Sequence, residues 1–264
     1  MAPEPHVRRF GTGPRRAHLI HCNLATGKAW APLMQVLDAE LAAEAVDMLG
    51  QGRSPMPDRT RDYQLQCAEA SIAVMQRSGP QDLIGHSFGG CIALKVAHMR
   101  PDLVRTLTLF EPVFFGFLDD ADHPVWQAMK PGQQAFYDTL TSGDTMAAAA
   151  KFLTEWGMPG EWERMPDDAR RAMADRMWLI AAQRGSIVDD NNWRLRLPDL
   201  ATLEMPTLVM HGEQSPPVMA EMTKIIVKTM PNASGAGLPG AGHMLPITHA
   251  GAVADHLHRF WNSN

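Results

Sequence analysis

Residues 85–90 read Gly-His-Ser-Phe-Gly-Gly, and no other stretch constrains the fold as much. A short apolar run, 82–86, leads into it, and a run of small and apolar residues, 88–99, leads out. The first has the length of a buried strand. The second has the composition of a helix packed under a sheet. Glycines on both sides of Ser87 permit a sharp strand-to-helix turn in which a side chain would clash. Such a turn lifts the serine Oγ to the carboxyl edge of a sheet, at a helix N-terminus. Ser87 is therefore the candidate nucleophile; the bland alternative is an ordinary turn serine.

Strand and helix patterns alternate through much of the rest. Residues 17–22, 45–49, 105–110 and 206–211 read as further buried strands, each ending in turn or polar chemistry. Trp30, Leu33, Met34, Leu37 and Leu41 form one helical stripe over 28–41. Val253, Leu257, Phe260 and Trp261 form another near the end. This alternation predicts an α/β fold, a mostly parallel sheet with helices on both faces. It stops between about residues 113 and 203, where helical patterns such as Thr145–Trp156 and Asp168–Arg184 are punctuated by Pro124, Pro131, Pro159, Pro166 and Pro198. The expected organisation is a core of residues 1–112 and 203–264, with 113–202 inserted as a helical cap.

Composition bounds the partners. A chain of 264 residues with 45% hydrophobic and 20% charged residues has enough apolar material for one large core. Its net charge is −5, with no basic run beyond pairs such as Arg15-Arg16 and Arg170-Arg171, so nucleic acid and anionic membrane are not expected as partners. Cys22, Cys67 and Cys91 are odd in number and lack CxxC spacing, which argues against a disulfide framework or a structural zinc. The first residues show no apolar signal-like run and no stretch approaches a membrane span, so the expected location is the cytoplasm. Oligomeric state is left open.

A serine needs a base, and an acyl-transfer site needs two backbone N–H groups for the oxyanion. His243, in Gly240-Ala241-Gly242-His243-Met244, is the one histidine between a glycine-rich turn and the last helix. The alternative is a surface loop histidine. His249, His256 and His258 read as solvent-facing and have no acidic or cysteine companions to make a metal set. The amide of Phe88, directly after the nucleophile, and that of Asn23, in the loop after the first long strand, are the candidate oxyanion donors.

Taken together, these signals resemble the α/β-hydrolase superfamily over nearly the whole chain. The loop at 21–24, the segment Asp47-Met48-Leu49-Gly50-Gln51-Gly52-Arg53-Ser54, the turn at 85–90 and Gly242-His243 occur in that family's order. The resemblance implies a sheet of up to eight strands, a lid and ester-type hydrolysis without a cofactor or metal. There are departures. Cys22 stands where the family usually has Gly, and Gln51 where His is common. The region before residue 17 leaves little room for the first strands. Where the family has Gly-x-x-Asp after the strand 206–211, this chain has Gly212-Glu213-Gln214-Ser215.

The acid must then come from elsewhere. Glu213 is two residues early, Asp189 and Asp190 fall in the expected cap, and Asp47 follows the wrong strand. Glu111 remains, at the carboxyl end of the strand 105–110, which neighbours the nucleophile's strand. Some members of the superfamily resemble this arrangement. Pro112 disfavours α conformation at Glu111 and helps to end the strand there. The alternatives for Glu111 are a helix cap or an arginine partner.

The expected activity is that of a serine hydrolase of the carboxylic ester class, acting on a small apolar substrate through Ser87, His243 and Glu111. A serine nucleophile argues against haloalkane dehalogenases and epoxide hydrolases of this fold, which use Asp. C–C hydrolase, lyase or haloperoxidase-like chemistry on the same triad stays open, as does a non-catalytic ligand-binding module. Trp126, Met129, Trp156, Met158, Trp162, Met177 and Trp178 are dense within the expected cap. They are candidates for an apolar pocket lining, or equally for cap packing.

Overall fold

Leu83 and Ile84 point to opposite faces of one strand, and each enters a different hydrophobic cluster. The same alternation separates Leu109 from Phe110, and Val209 from Leu208 and Met210. A strand whose consecutive residues are both apolar is a strand covered on both sides. The computed structural model, which describes residues 3–189 and 194–264, shows this sheet. Its strands are β1 Val7–Phe10, β2 Arg15–Ile20, β3 Leu41–Val46, β4 Gln81–His86, β5 Val104–Phe110, β6 Thr207–Gly212 and β7 Ala233–Leu238. They lie in the order β1-β3-β2-β4-β5-β6-β7, all neighbours parallel except β1 against β3.

Five long helices cover the faces outside the long β5–β6 connection: α1 Ala31–Leu37, α2 Tyr63–Met75, α3 Phe88–Met99 and, later in the chain, the helices Pro217–Thr229 and Ala250–Asn262. Trp30, Leu33, Met34 and Leu37 pack with Val253 and Leu257 on one face; Cys67, Ala68, Cys91 and Ile92 pack on the other. The small residues of α3 let it lie close under the sheet. A Cβ on Gly89 would stand 2.3 Å from the carbonyl oxygen of Ile20 and 2.4 Å from that of His21.

Between β5 and β6 the described residues contain helices and no strand. These are α4 Gly116–Asp120, α5 Pro124–Thr141, α6 Thr145–Trp156, α7 Glu161–Arg164, α8 Asp167–Ala174, α9 Trp178–Ile187 and α10 Leu197–Leu200. Phe136, Tyr137, Leu140, Ala148, Ala149, Met177 and Ile180 give them a small core of their own. After β6 come α11 Pro217–Thr229, α12 Leu245–Thr248 and α13, the helix Ala250–Asn262. No helix among the described residues is long and apolar enough to cross a membrane.

Several boundaries differ from the sequence pattern. Leu41 does not extend the helical stripe of 28–41. The helix ends at Leu37, and Leu41 opens β3, opposite Arg15 of β2. The alanines of β3 give little strand signal, and pairing on both sides, with β1 and β2, decides the conformation. The edge strands β1 and β7 are short or poor in β-branched residues and carry no clear pattern. Asp168–Arg184 splits into α8 and α9, because α8 packs on α6 whereas α9 packs on α2. Pro131 lies inside α5 and does not end it.

His18, in β2, is fully buried, and neither ring nitrogen has a hydrogen-bond partner among the described residues. Burial pushes its pKa down from 6.5 to about 3. Between those values the unfolded chain binds a proton that the folded chain refuses, so stability falls as pH drops from about 6.5 toward 3. His21 and His86, lowered by burial to about 4 and about 3, act in the same direction. His18→Leu is expected to raise the unfolding free energy by about 1–3 kcal/mol at neutral pH, the typical cost of a buried unpaired polar group. It should also make the loss of stability in mild acid shallower. Urea titrations of both proteins at neutral and mildly acidic pH check this; equal acid sensitivity would count against it.

Candidate active site

Ser87 is the single residue between β4 and α3, with φ 57° and ψ −121°. This is a strained backbone for a residue with a side chain. It holds because both flanks leave no choice. A Cβ on Gly85 would sit 2.4 Å from the Gly89 carbonyl oxygen and 2.7 Å from the Gly90 Cα. The Ser87 N–H is tied across to the Phe110 carbonyl at 2.8 Å. The turn aims Oγ over the carboxyl ends of β4 and β5.

His243 lies on the loop after β7, with Nε2 3.0 Å from Ser87 Oγ and Nδ1 2.6 Å from Glu111 Oε2. A carboxylate only accepts, so the proton sits on Nδ1 and Nε2 is left to accept from the serine. Glu111 is fully buried at the tip of β5. Its backbone takes a left-handed φ of 46°, and its N–H donates to the Met210 carbonyl at 2.8 Å. Its Oε1 accepts from the Gly212 N–H at 2.6 Å and from the Ser215 hydroxyl at 2.5 Å. Ser215, standing where the family's acid usually stands, is thus a donor to the carboxylate on the neighbouring strand. Glu213 is exposed. Asp189 pairs with Arg184 at 3.1 Å, and Asp190 lies outside the described residues.

Two supports of this chain have roles that sequence patterns do not assign: His86 is not nominated by them, and Trp156 is nominated only for the pocket or the cap. His86 donates from Nε2 to the His243 carbonyl at 2.8 Å, which pins the loop that carries the imidazole. Burial holds its pKa near 3, so it stays neutral beside His243. Trp156, at the end of α6, sets its ring edge-on to His243, with centroids 4.9 Å apart. The only local hint of the first is that His86 directly precedes the serine.

The loop 21–24 is held by side chains. His21 donates from Nδ1 to the Cys22 carbonyl at 2.6 Å and accepts the Met48 N–H on Nε2 at 3.0 Å. Cys22 is buried, and burial raises its thiol to about 12, so it is inert. Asn23 Oδ1 accepts from its neighbour's amide, Leu24 N–H, at 2.9 Å and from Gln51 Nε2 at 2.7 Å, while Nδ2 donates to Gln183 Oε1 of α9 at 2.7 Å. Gln51, in place of the common His, therefore braces Asn23. Phe88 opens α3, where the first N–H groups have no intrahelical acceptor. Asp47 is a turn residue: its carboxylate accepts from Gly27 N–H at 2.7 Å and Arg53 N–H at 2.9 Å.

Two cavities meet at Ser87 and Asn23. The inner one is lined by Phe88, Val113, Phe115, Phe136, Phe152 and Trp156, with about 30 Å³ of free space. The outer one, about 160 Å³, runs past Leu153, Met165, Met173 and His243. Of the seven aromatic and methionine residues expected there, only Trp156 lines these cavities. Trp126 stacks on Phe115 and donates to Asp119 at 2.9 Å, Met177 packs between helices, and Trp162 and Trp178 lie under Arg170 and Arg59. Met129 packs at the rim of the main core, and Met158 is exposed. Phenylalanines on α5, α6 and the β5–α4 loop take the lining role instead. His249 bonds to Thr248 and His258 to Glu40; no cluster of three metal-ligating side chains occurs among the described residues.

Residues 19–250 match the model of the α/β hydrolase fold family, and the chain belongs to that family. A pimeloyl-[acyl-carrier protein] methyl ester esterase of Aeromonas salmonicida is 27% identical over 256 residues, covering 92% of this chain and 93% of that enzyme. Lipase LipV of Mycobacterium tuberculosis is 39% identical over 113 residues, which span 42% of this chain and 43% of the lipase. Among solved structures, an esterase from Exiguobacterium antarcticum superposes with a TM-score of 0.75 at 18% identity, covering 97% of this chain and 94% of that one. An α/β hydrolase from Sphaerobacter thermophilus gives 0.72 at 23%, covering 97% and 95%. At these identities the two structures speak for the fold alone.

Glu111→Gln is expected to keep the fold and lower kcat by up to about ten-thousandfold, because an amide facing Nδ1 favours the wrong imidazole tautomer. Glu213→Gln should leave kcat near the parent value. Steady-state kinetics on both variants decide; the reverse pattern would move the acid to β6.

Proposed function

We propose that this chain is a serine hydrolase of carboxylic esters, with Ser87 as nucleophile, His243 as base and Glu111 as acid. The observation that carries the reading is the continuous hydrogen-bonded chain from Ser87 Oγ through the imidazole to a buried carboxylate. In this reaction Ser87 Oγ attacks the ester carbonyl while His243 Nε2 takes its proton. The amides of Asn23 and Phe88 receive the charge that develops on the carbonyl oxygen. The tetrahedral intermediate collapses, and the imidazolium gives its proton to the leaving alcohol. Water then attacks the acyl-serine by the same route, releasing the acid. Glu111 orients the ring and stabilises its charged form.

Residues 113–202 act as a cap on the core formed by 1–112 and 203–264. Support comes from α6 and α9, which contribute Phe152, Trp156 and Gln183 to the cavity walls at Ser87. The narrow inner cavity favours a short chain on one side of the scissile bond, and the wider outer one accepts the other side. The named activities of the relatives, esterase and lipase, agree with this chemistry.

Ser87→Ala is expected to abolish ester hydrolysis by several orders of magnitude with the fold intact, leaving roughly a thousandfold over water. A fluorophosphonate should label the parent protein at Ser87 and not the variant. Unchanged kcat in a folded Ser87→Ala protein would remove the nucleophile assignment. Absence of labelling together with tight binding of apolar ligands would favour a binding module.

A further inference from the structure

The inner cavity is not apolar all round. Besides Ser87 and Tyr137, two polar pairs line it; one is the Asn23–Gln183 pair beside Ser87, already bonded at 2.7 Å. The other is Gln133 of α5 with Glu155 of α6. Gln133 Nε2 reaches Glu155 Oε1 only at 3.4 Å, the long limit of a hydrogen bond. Among the described residues no ion pair involves Glu155. Its helix neighbour Lys151 turns its ammonium to the Gly132 carbonyl at 3.4 Å. Burial raises the Glu155 carboxyl above the usual carboxylate range, with only the field of Lys151 opposing. Glu155 also borders the groove beside Ser215 and His243, so this turn of α6 forms a wall between cavity and surface.

Glu155 is half-buried, its hydrogen bond to Gln133 is long, and its carboxyl keeps spare acceptor capacity where it lines the cavity. The proposed hydrolysis has no use for it, since His243 already rests on Glu111. Fastening α6 to α5 does not account for it either, because a single long bond adds little where Phe136 and Phe152 already pack.

We propose that Glu155, supported by Gln133, recognises a hydrogen-bond donor on the substrate, a hydroxyl or an ammonium on the chain held in the inner cavity. The same carboxyl disfavours substrates that carry a carboxylate at that place. Glu155 is then a specificity residue, and the inference rests on the ester-hydrolase reading above.

The test uses methyl esters of straight-chain acids from butanoate to hexanoate, each in plain, ω-hydroxy, ω-amino and ω-carboxy form. With the parent protein, kcat/KM for the best donor-bearing ester should exceed that of its ω-carboxy counterpart at least about tenfold, as expected for one charge-assisted bond. Glu155→Gln should lose the preference for ammonium and keep that for hydroxyl. Glu155→Leu should prefer the plain ester, with an unchanged melting temperature. Selectivity ratios in Glu155→Leu within twofold of the parent, or a parent that favours the ω-carboxy ester, would overturn the proposal. Failure of the hydrolase reading shows separately, as hydrolysis that survives Ser87→Ala or is absent from the parent. In that case, binding of hexylamine, hexanol and hexanoate, followed by tryptophan fluorescence, decides about Glu155. Tighter binding of the donors that Glu155→Leu removes supports the site; equal binding of all three overturns it.

Discussion

A fully buried carboxylate must have its oxygens satisfied, and the carboxyl end of the sheet is arranged around that need at Glu111. Three donors converge on it: the Gly212 amide from the end of β6, the Ser215 hydroxyl from the loop beyond, and the ring N–H of His243 from the loop after β7. Each comes from a segment far away in sequence. Together they bind the tips of β5, β6 and β7 into one unit and leave the imidazole a single orientation. Ser215 makes this workable. An Asp at that position would set a second carboxylate against the first, and like charges so close raise the cost of ionising both.

The serine side of the site is held by steric exclusion. The unusual backbone of Ser87 costs energy that the rest of the fold must offset. Gly85, Gly89 and Gly90 permit the turn, and Gly89 also lets α3 touch the backbone of β2 at Ile20 and His21. The same approach brings the loop 21–24 over the start of α3, which places Asn23 near Phe88. Close helix–sheet packing and the positioning of two candidate oxyanion amides are therefore one geometric fact. His86 extends this order to His243, since its bond to the His243 carbonyl ties β4 directly to the loop that carries the imidazole.

The helical segment between β5 and β6 touches the site through polar contacts as well as through the cavity walls. Gln183 reaches Asn23, and Ser186 donates to Asp62 at the start of α2 at 2.7 Å. Both lie on α9, so that helix is fastened to the core at two points. Movement of α9 away from the core would strip Asn23 of a partner. Trp156 on α6 lies on His243. Access to the serine and the order of the groups around it thus depend on the same helices.

Local chemistry made part of this legible. The glycines around Ser87 demand a tight turn wherever they occur, and the apolar runs β2, β4, β5 and β6 can only be covered strands. The family is legible for the same reason, since its motifs are local. Ser87, Glu111 and His243 can each be nominated from their place at the end of a strand or in a glycine-rich turn. The class of fold and the candidate residues for the chemistry therefore follow from the chain alone, because the tight turn and the covered strands are set by neighbours in the chain. Long-range packing was needed to make strands of β1 and the alanine-rich start of β3, to line the cavity with phenylalanines in place of most of the tryptophans, and to set Ser215 against Glu111. It also decided that Gln183 braces Asn23 from 160 residues away. These are pairings between residues with no local signal, and their conformations are chosen by the partner that packing brings to them.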